Sequence, residues 1–326
     1  MLHTRLCDLF GIDHPILNAP MGGGDAPGRL AAAVSNAGGL GLIGGTTIGG
    51  AEWLADQIRI ARELTDRPFA VGFISHLPGA AELMAVALHE GVRIIAHSFA
   101  DPTPFVQTAH EAGALVLCQI RTVDAAERAA GAGVDVVTAQ GTEAGGHTGR
   151  MSTMPLVPAV VDAVAPVPVV AAGGIADGRG IAAAMMLGAE GVWLGTRFLG
   201  THECGVSDAY KARVIEASGA DTVLTEIFDI AAGIPWPDGV SGRALRNRFA
   251  NRWENREDEL RVWATRHRDE YRSLGGDSET TEKAVWAGEA TSFVRGTESA
   301  GEVVRQLAAH AAEVLRGRPA RILGDR

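Results

Sequence analysis

Eight apolar runs separated by alanine-rich segments fill the chain up to residue 198: HPILNAPM, GLGLIGG, RPFAVGFI, VRIIAHSF, ALVLCQI, VDVVTAQG, VPVVAAGG and GVWLGTRF. Strands that stay apolar through successive positions are buried on both faces, which predicts a parallel sheet covered by helices. The segments NAGGLGLI, HEGVRIIA, EAGALVLC, GAGVDVVT and LGAEGVWL repeat one arrangement, in which a helix ends at glycine and the next strand starts at once. Glycine suits the left-handed position that ends a helix. Eight such βα units predict a (β/α)8 TIM barrel, with a doubly wound open sheet as the alternative. Polar residues recur at the C-terminal ends of the runs, namely Asn18, His76, His97, Gln119, Gln140 and His147. Those ends are where a barrel builds its active site.

The expected division is a barrel over residues 1–224 and an appended C-terminal helical element over 225–326, packed on the barrel as one structural unit. A helix is expected over 207–218, a charged helical stretch from Arg243 to Arg272, and an amphipathic helix over 301–316 that presents Val303, Val304, Leu307 and Ala311 on one face. At 326 residues and 46% apolar composition the chain can bury a large core. The formal charge of -10 argues against general binding to nucleic acid or an anionic membrane. No apolar run approaches the roughly 18 to 20 residues of a membrane span, and MLHTRLCDLF lacks a signal-peptide core, so a soluble cytoplasmic protein is expected. A homo-oligomer is compatible with this reading. The three cysteines have no metal-ligand spacing and read as packing residues. Lys211 and Lys283 are the only lysines, which excludes Schiff-base chemistry on the earlier strands.

The sixth run is broken by GTEAGGHTGR, residues 141–150, four glycines around one carboxylate and one imidazole. Such a loop lets the backbone approach a ligand, and His147 is its only side chain that ordinarily titrates near neutrality. Gly173 and Gly174 close the seventh run, and Gly195 and Thr196 lie late in the eighth. Loops at those positions in a barrel often bind phosphate through backbone N–H groups. Gln119 and Gln140 can donate to and accept from the edge of a heterocycle. A GxGxxG string at Gly39, Gly41 and Gly44 lies inside a strand and after a helix, the wrong context for a dinucleotide site. The histidines with Glu143 could build a metal-dependent hydrolase, but no H-x-H or H-E-x-x-H pair is present and no metal ligands are assigned. A non-catalytic barrel that binds a phosphate ligand is a further alternative.

The strings NAPM, AQGTEAGGHTG, GGIADGRG and WLGTRF, in that order, resemble the nitronate monooxygenase family, formerly called 2-nitropropane dioxygenases. DTVLTEIFD, GIPWP and WAGEATSF extend the resemblance over nearly the whole chain. It implies a non-covalently bound FMN across the barrel mouth and oxidation of alkyl nitronates or nitroalkanes by O2 to carbonyl compounds and nitrite. By position, Met21, Gly22, Gln140 and Gly145 would border the flavin ring, joined by Gln119. Gly173, Gly174, Trp193, Leu194, Gly195 and Thr196 would take the phosphate end, and His147 matches the active-site histidine. Gly72 stands where many relatives have Asn, so one polar contact to the flavin is missing or supplied elsewhere. The fold-mates of this family include enoyl-thioester and quinone reductases, so an NAD(P)H-dependent flavin reductase is the alternative function.

Overall fold

In the computed structural model, which describes residues 2–46, 49–276 and 278–324, the eight expected strands form one parallel sheet. They are β1 (Ile16–Asn18), β2 (Gly41–Gly44), β3 (Phe69–Ile74), β4 (Ile94–Ser98), β5 (Leu115–Ile120), β6 (Val136–Gln140), β8 (Val169–Ala172) and β9 (Gly191–Leu194). Three more, β7 (Gly146–Thr148), β10 (Thr222–Thr225) and β11 (Ser241–Leu245), make a separate antiparallel sheet in the order β10, β11, β7. The large sheet runs β1, β9, β8, β6, β5, β4, β3, β2, and a parallel bridge between Leu17 and Leu40 joins its ends. Asn18, fully buried, fastens that seam: its amide donates to the Leu42 carbonyl at 2.8 Å and accepts from the Leu42 N–H at 2.8 Å. The fold is a (β/α)8 TIM barrel with C-terminal helices.

The glycine punctuation works as its spacing implies. Gly38, Gly91, Gly113, Gly133 and Gly188 have φ of 87, 73, 72, 91 and 96°, each ending a helix just before a strand. Alternate strand residues then separate into two cores. Leu17, Leu42, Ala70, Leu117, Val136, Val170 and Trp193 form one cluster with Leu6 and Phe10 of the helix Arg5–Phe10, which plugs the N-terminal end of the barrel. Ile16, Val71, Ile95, Val116, Val137 and Val192 face the surrounding helices in the other. Both sets are buried, and full burial of a Val, Leu or Ile side chain is worth about 1.5–3 kcal/mol. The GxGxxG string serves packing: a Cβ on Gly41 would run into the Ala31 backbone and one on Gly44 into the Met21 carbonyl.

The C-terminal region departs from expectation at its start. The stretch expected to be helical from Arg243 begins as β11 and continues as the helices Arg248–Trp253 and Glu257–Ser273. Arg243 is buried and spends its guanidinium on the Thr142 carbonyl, Thr222 Oγ1 and Glu289, which a solvated helical face would not do. The helix expected over 207–218 spans Asp208–Glu216 and is capped by Ser207. The final helix runs Ala300–Leu323, longer than 301–316, with Val303, Val304, Leu307 and Ala311 buried as anticipated. It lies so close to the helix Gly178–Met186 that a Cβ on Gly178 would strike the Ala311 backbone. Among the described residues no helix is long and apolar enough to cross a membrane.

Candidate active site

The glycine-rich loop after β6 uses its carboxylate and its imidazole differently. Glu143 accepts from the Thr153 N–H at 3.0 Å and its hydroxyl at 2.9 Å, capping the helix Thr153–Val164. His147 lies on β7 with its backbone opposite Gly242 of β11. Its Nε2–H donates to Asp229 Oδ2 at 2.9 Å, with the two side chains only 11% and 9% exposed. The other carboxylate oxygen, Oδ1, accepts from Trp236 Nε1 at 3.0 Å. That indole stacks on the imidazole, ring centroids 3.5 Å apart and 15° from parallel. Trp286 closes another side at 4.8 Å, and Phe99 meets the imidazole edge-on at 6.4 Å.

Each of these groups is held from below. Asp229 sits on the short helix Ile227–Ala232, whose Ile227, Phe228 and Ala231 pack with Phe249, Trp253, Leu260 and Tyr271 in a cluster of their own. Trp236 rides on a loop that His76 secures by donating from Nε2 to the Pro235 carbonyl at 3.3 Å. Burial holds the His76 ring below the usual histidine range. Gly242 is required opposite His147, since a Cβ there would enter the Trp286 ring and come within 3.3 Å of His147 Nε2. Behind Trp236 lies a cavity of about 530 Å³ lined by Asp229, Gly233, Val240, Ala264 and Arg268, separated from His147 by the indole and the carboxylate.

At the barrel mouth the glutamines differ in what they have left to offer. Ser98 Oγ donates to Gln119 Oε1 at 2.8 Å, fixing that amide. Gln140 Oε1 and, below it, Thr138 Oγ1 are fully buried without partners among the described residues. A buried acceptor left open costs free energy, so this end of the barrel has polar capacity for a ligand. A Cβ on Gly195 would find only Ala19 Cβ at 3.5 Å and Met21 Sδ at 3.9 Å, so space lies before it, while Gly22 packs under the Thr46 carbonyl. Gly145 is pressed against Ala287 and Gly288. The Gly288 N–H donates to Thr196 Oγ1 at 2.9 Å, leaving the Thr196 hydroxyl proton to donate elsewhere. Gly173 and Gly174 have φ of 101 and 70°, a turn that other residues rarely adopt. The Trp193 side chain belongs to the barrel interior and that of Leu194 to the outer core, so only their backbones are open to a ligand. The Leu194 carbonyl is already taken by the Ala19 N–H at 2.8 Å.

Several sequence candidates lie elsewhere. Asn18 is the seam clamp described above. His97 points outward from β4, stacked on Phe105 at 4.4 Å and bonded to Ser75 at 2.8 Å, and burial lowers its pKa to about 4. Gly72 is covered by the Pro20 ring, which a Cβ there would strike, so the space of a side chain at 72 is already filled. With His97 outside the barrel and Glu143 capping a helix, the histidines and Glu143 do not converge, and no metal-binding cluster forms among the described residues. Asp229, Trp236, Trp286 and Phe99 were not singled out as site residues from the sequence. DTVLTEIFD, GIPWP and WAGEATSF carry the first three, but the contacts that give them a role join positions far apart in the chain.

Comparison with known proteins places this geometry in a lineage. A family model described as nitronate monooxygenase matches residues 3–87 and 80–310. The chain is 39% identical over 256 residues to a (3aS,4S,5R,7aS)-5-hydroxy-7a-methyl-1-oxo-octahydro-1H-indene-4-carboxyl-CoA dehydrogenase of Mycobacterium tuberculosis (strain ATCC 25618 / H37Rv), covering 78% of this chain and 69% of that one. It is 33% identical over 306 residues to a probable nitronate monooxygenase of Staphylococcus saprophyticus, covering 79% and 83%. The solved structure of FabK from Thermotoga maritima superposes with a TM-score of 0.88 at 33% identity, covering 98% of this chain and 100% of that one.

Proposed function

The chain belongs to the nitronate monooxygenase family of flavin-dependent oxidoreductases, and from that premise we propose that it binds FMN and oxidises alkyl nitronates with O2 to carbonyl compounds and nitrite. The observation that carries this reading is the buried Asp229–His147 pair beside the barrel mouth. With Nε2–H committed to the carboxylate, His147 keeps Nδ1 for a substrate. A base fixed in this way takes a proton from the carbon that bears a nitro group, and on a nitronate, already deprotonated there, it orients the anion.

The FMN assignment draws on the same mouth. Gln119 and Gln140 would face the ring edge, with Met21, Gly22 and Gly145 bordering it, and the open Gln140 acceptor suits a ring N–H. Gly173, Gly174, Gly195 and Thr196, with the backbones of Trp193 and Leu194, would take the phosphate, to which the free Thr196 hydroxyl proton adds a donor. When bound, the flavin supplies the two-electron redox chemistry and its return by O2. The protein holds the substrate anion, moves the proton at His147 and, through the Trp236 indole, keeps bulk water from that imidazole.

A second reading is favoured by the 39% identity to a CoA-thioester dehydrogenase. The carbon next to a thioester carbonyl is also a carbon acid, a much weaker one than that next to a nitro group, and the same histidine would serve it as base. The test is nitrite release coupled to O2 uptake on adding ethyl nitronate. His147→Asn should keep the yellow colour and lose about 100-fold or more in turnover of ethyl nitronate, the scale of a lost contact that stabilises the reacting anion. Undiminished turnover in that variant would remove His147 from the reaction.

A further inference from the structure

Arg121 stands directly after β5, two residues beyond Gln119, is half-buried, and has no ion-pair partner among the described residues. Its Nη1 is fully buried and has no hydrogen-bond partner among the described residues. The more deeply buried Arg197 and Arg243 are paired, with Glu298 at 2.9 Å and with Glu289 at 3.2 Å. The neighbouring carboxylate, Asp101, is exposed and spends Oδ1 on the N–H and hydroxyl of Thr103. Gly149 covers the Arg121 stem so closely that a Cβ there would sit 2.8 Å from Arg121 Cβ. The guanidinium carbon lies 5.1 Å from the Phe99 ring centroid.

Phe99 connects this arginine to the candidate active site. Its backbone is held at φ 68°, a conformation bulky residues seldom take, and its ring is the edge that His147 and Trp236 meet at 6.4 and 4.9 Å. Phe99, with Asp101, Gln119, Arg121, Ala125 and Arg128, lines a cavity of about 250 Å³ in which two guanidinium groups face one carboxylate. A buried charge without a partner is disfavoured, and a planar guanidinium matches a carboxylate through two parallel hydrogen bonds. The volume is below the roughly 300–1,000 Å³ of sites for larger ligands, which suits a short acid and not a nucleotide.

We propose that the cavity between Phe99 and Ala125 is a carboxylate subsite, in which Arg121 binds an acid group carried by the substrate at the end remote from its reacting carbon. The subsite stands on the unpaired guanidinium; that the acid belongs to a nitronate rests on the function proposed above. Two readouts separate these claims. Succinate, two carboxylates and no nitro group, is titrated calorimetrically into the flavin-loaded enzyme. It should bind the wild type and bind at least tenfold more weakly to Arg121→Gln, with Arg121→Lys between them. Ala125→Phe, which fills the cavity and leaves Arg121 in place, should weaken it similarly. In turnover, the ratio of kcat/KM for propionate 3-nitronate over ethyl nitronate should fall at least tenfold in Arg121→Gln. Failure of succinate to bind the wild type, or equal binding to wild type and both cavity variants, overturns the subsite. Arg121-dependent succinate binding with no turnover of either nitronate supports the subsite and removes the nitronate reading alone.

Discussion

Asp229 carries more of the site than any other single residue, because one buried carboxylate satisfies two donors on different segments. Its Oδ2 fixes the imidazole and its Oδ1 fixes the indole stacked upon it. Asp229→Asn keeps the volume but offers one acceptor where two are needed, so either Trp236 loses its acceptor or His147 is bonded only in the tautomer that protonates Nδ1. Replacing an orienting carboxylate beside a catalytic histidine has cost on the order of 10⁴ in a serine protease. Here the expectation is a fall in kcat of about 10²–10⁴ with flavin content and KM little changed, read from steady-state kinetics on material of matched absorbance. A loss confined to KM would mean that Asp229 shapes the pocket and does not set the histidine.

The elements that matter most to the site are the ones that lie outside the barrel. The sheet β10–β11–β7 turns a flexible glycine loop into a registered strand, and the Gly242 position sets how near Trp286 approaches His147. Gly242→Ala should push on the Trp286 ring and His147 together. Overpacking of this kind costs about 1–3 kcal/mol, so the urea midpoint should drop by that equivalent while activity falls more steeply than stability. An unchanged midpoint with full activity would show that the ring has room to yield. The barrel strands themselves were legible in the sequence, since eight apolar runs punctuated by αL glycines leave few other solutions. β7 and β11 were not, because GHT and SGRAL lack the length and alternation of a strand signal and gain their order from each other. Arg243 misled for the same reason, its charge suggesting a solvated helix when its hydrogen bonds are made across the site.

At the scale of the whole molecule, the barrel carries at least one buried group that ties its stability to pH. His97 is fully buried with a pKa lowered to about 4, against about 6.5 for an exposed histidine. Below 6.5 the unfolded chain takes up a proton that the folded one refuses, so this contribution is complete above that pH and is lost as pH falls toward 4. Between pH 7 and pH 5 the loss is about 2 kcal/mol. Urea unfolding at the two pH values should show that difference in the wild type and a smaller one in His97→Gln; the same difference in both would assign it to other groups. The candidate site was only partly legible at this scale. His147, the glutamines and the glycines proposed for the phosphate follow from where polar residues and glycines fall on a barrel. Asp229 and Trp236 are 82 and 89 residues from His147 and meet it only because the C-terminal helices fold back over the mouth. The most direct test of the central claim is anaerobic mixing of the oxidised, flavin-loaded enzyme with ethyl nitronate, with an acyl-CoA thioester and with NADH in separate syringes, following the flavin absorbance. Nitronate oxidation predicts rapid bleaching by ethyl nitronate and none by the other two, whereas bleaching by the thioester or NADH with no response to the nitronate would contradict it.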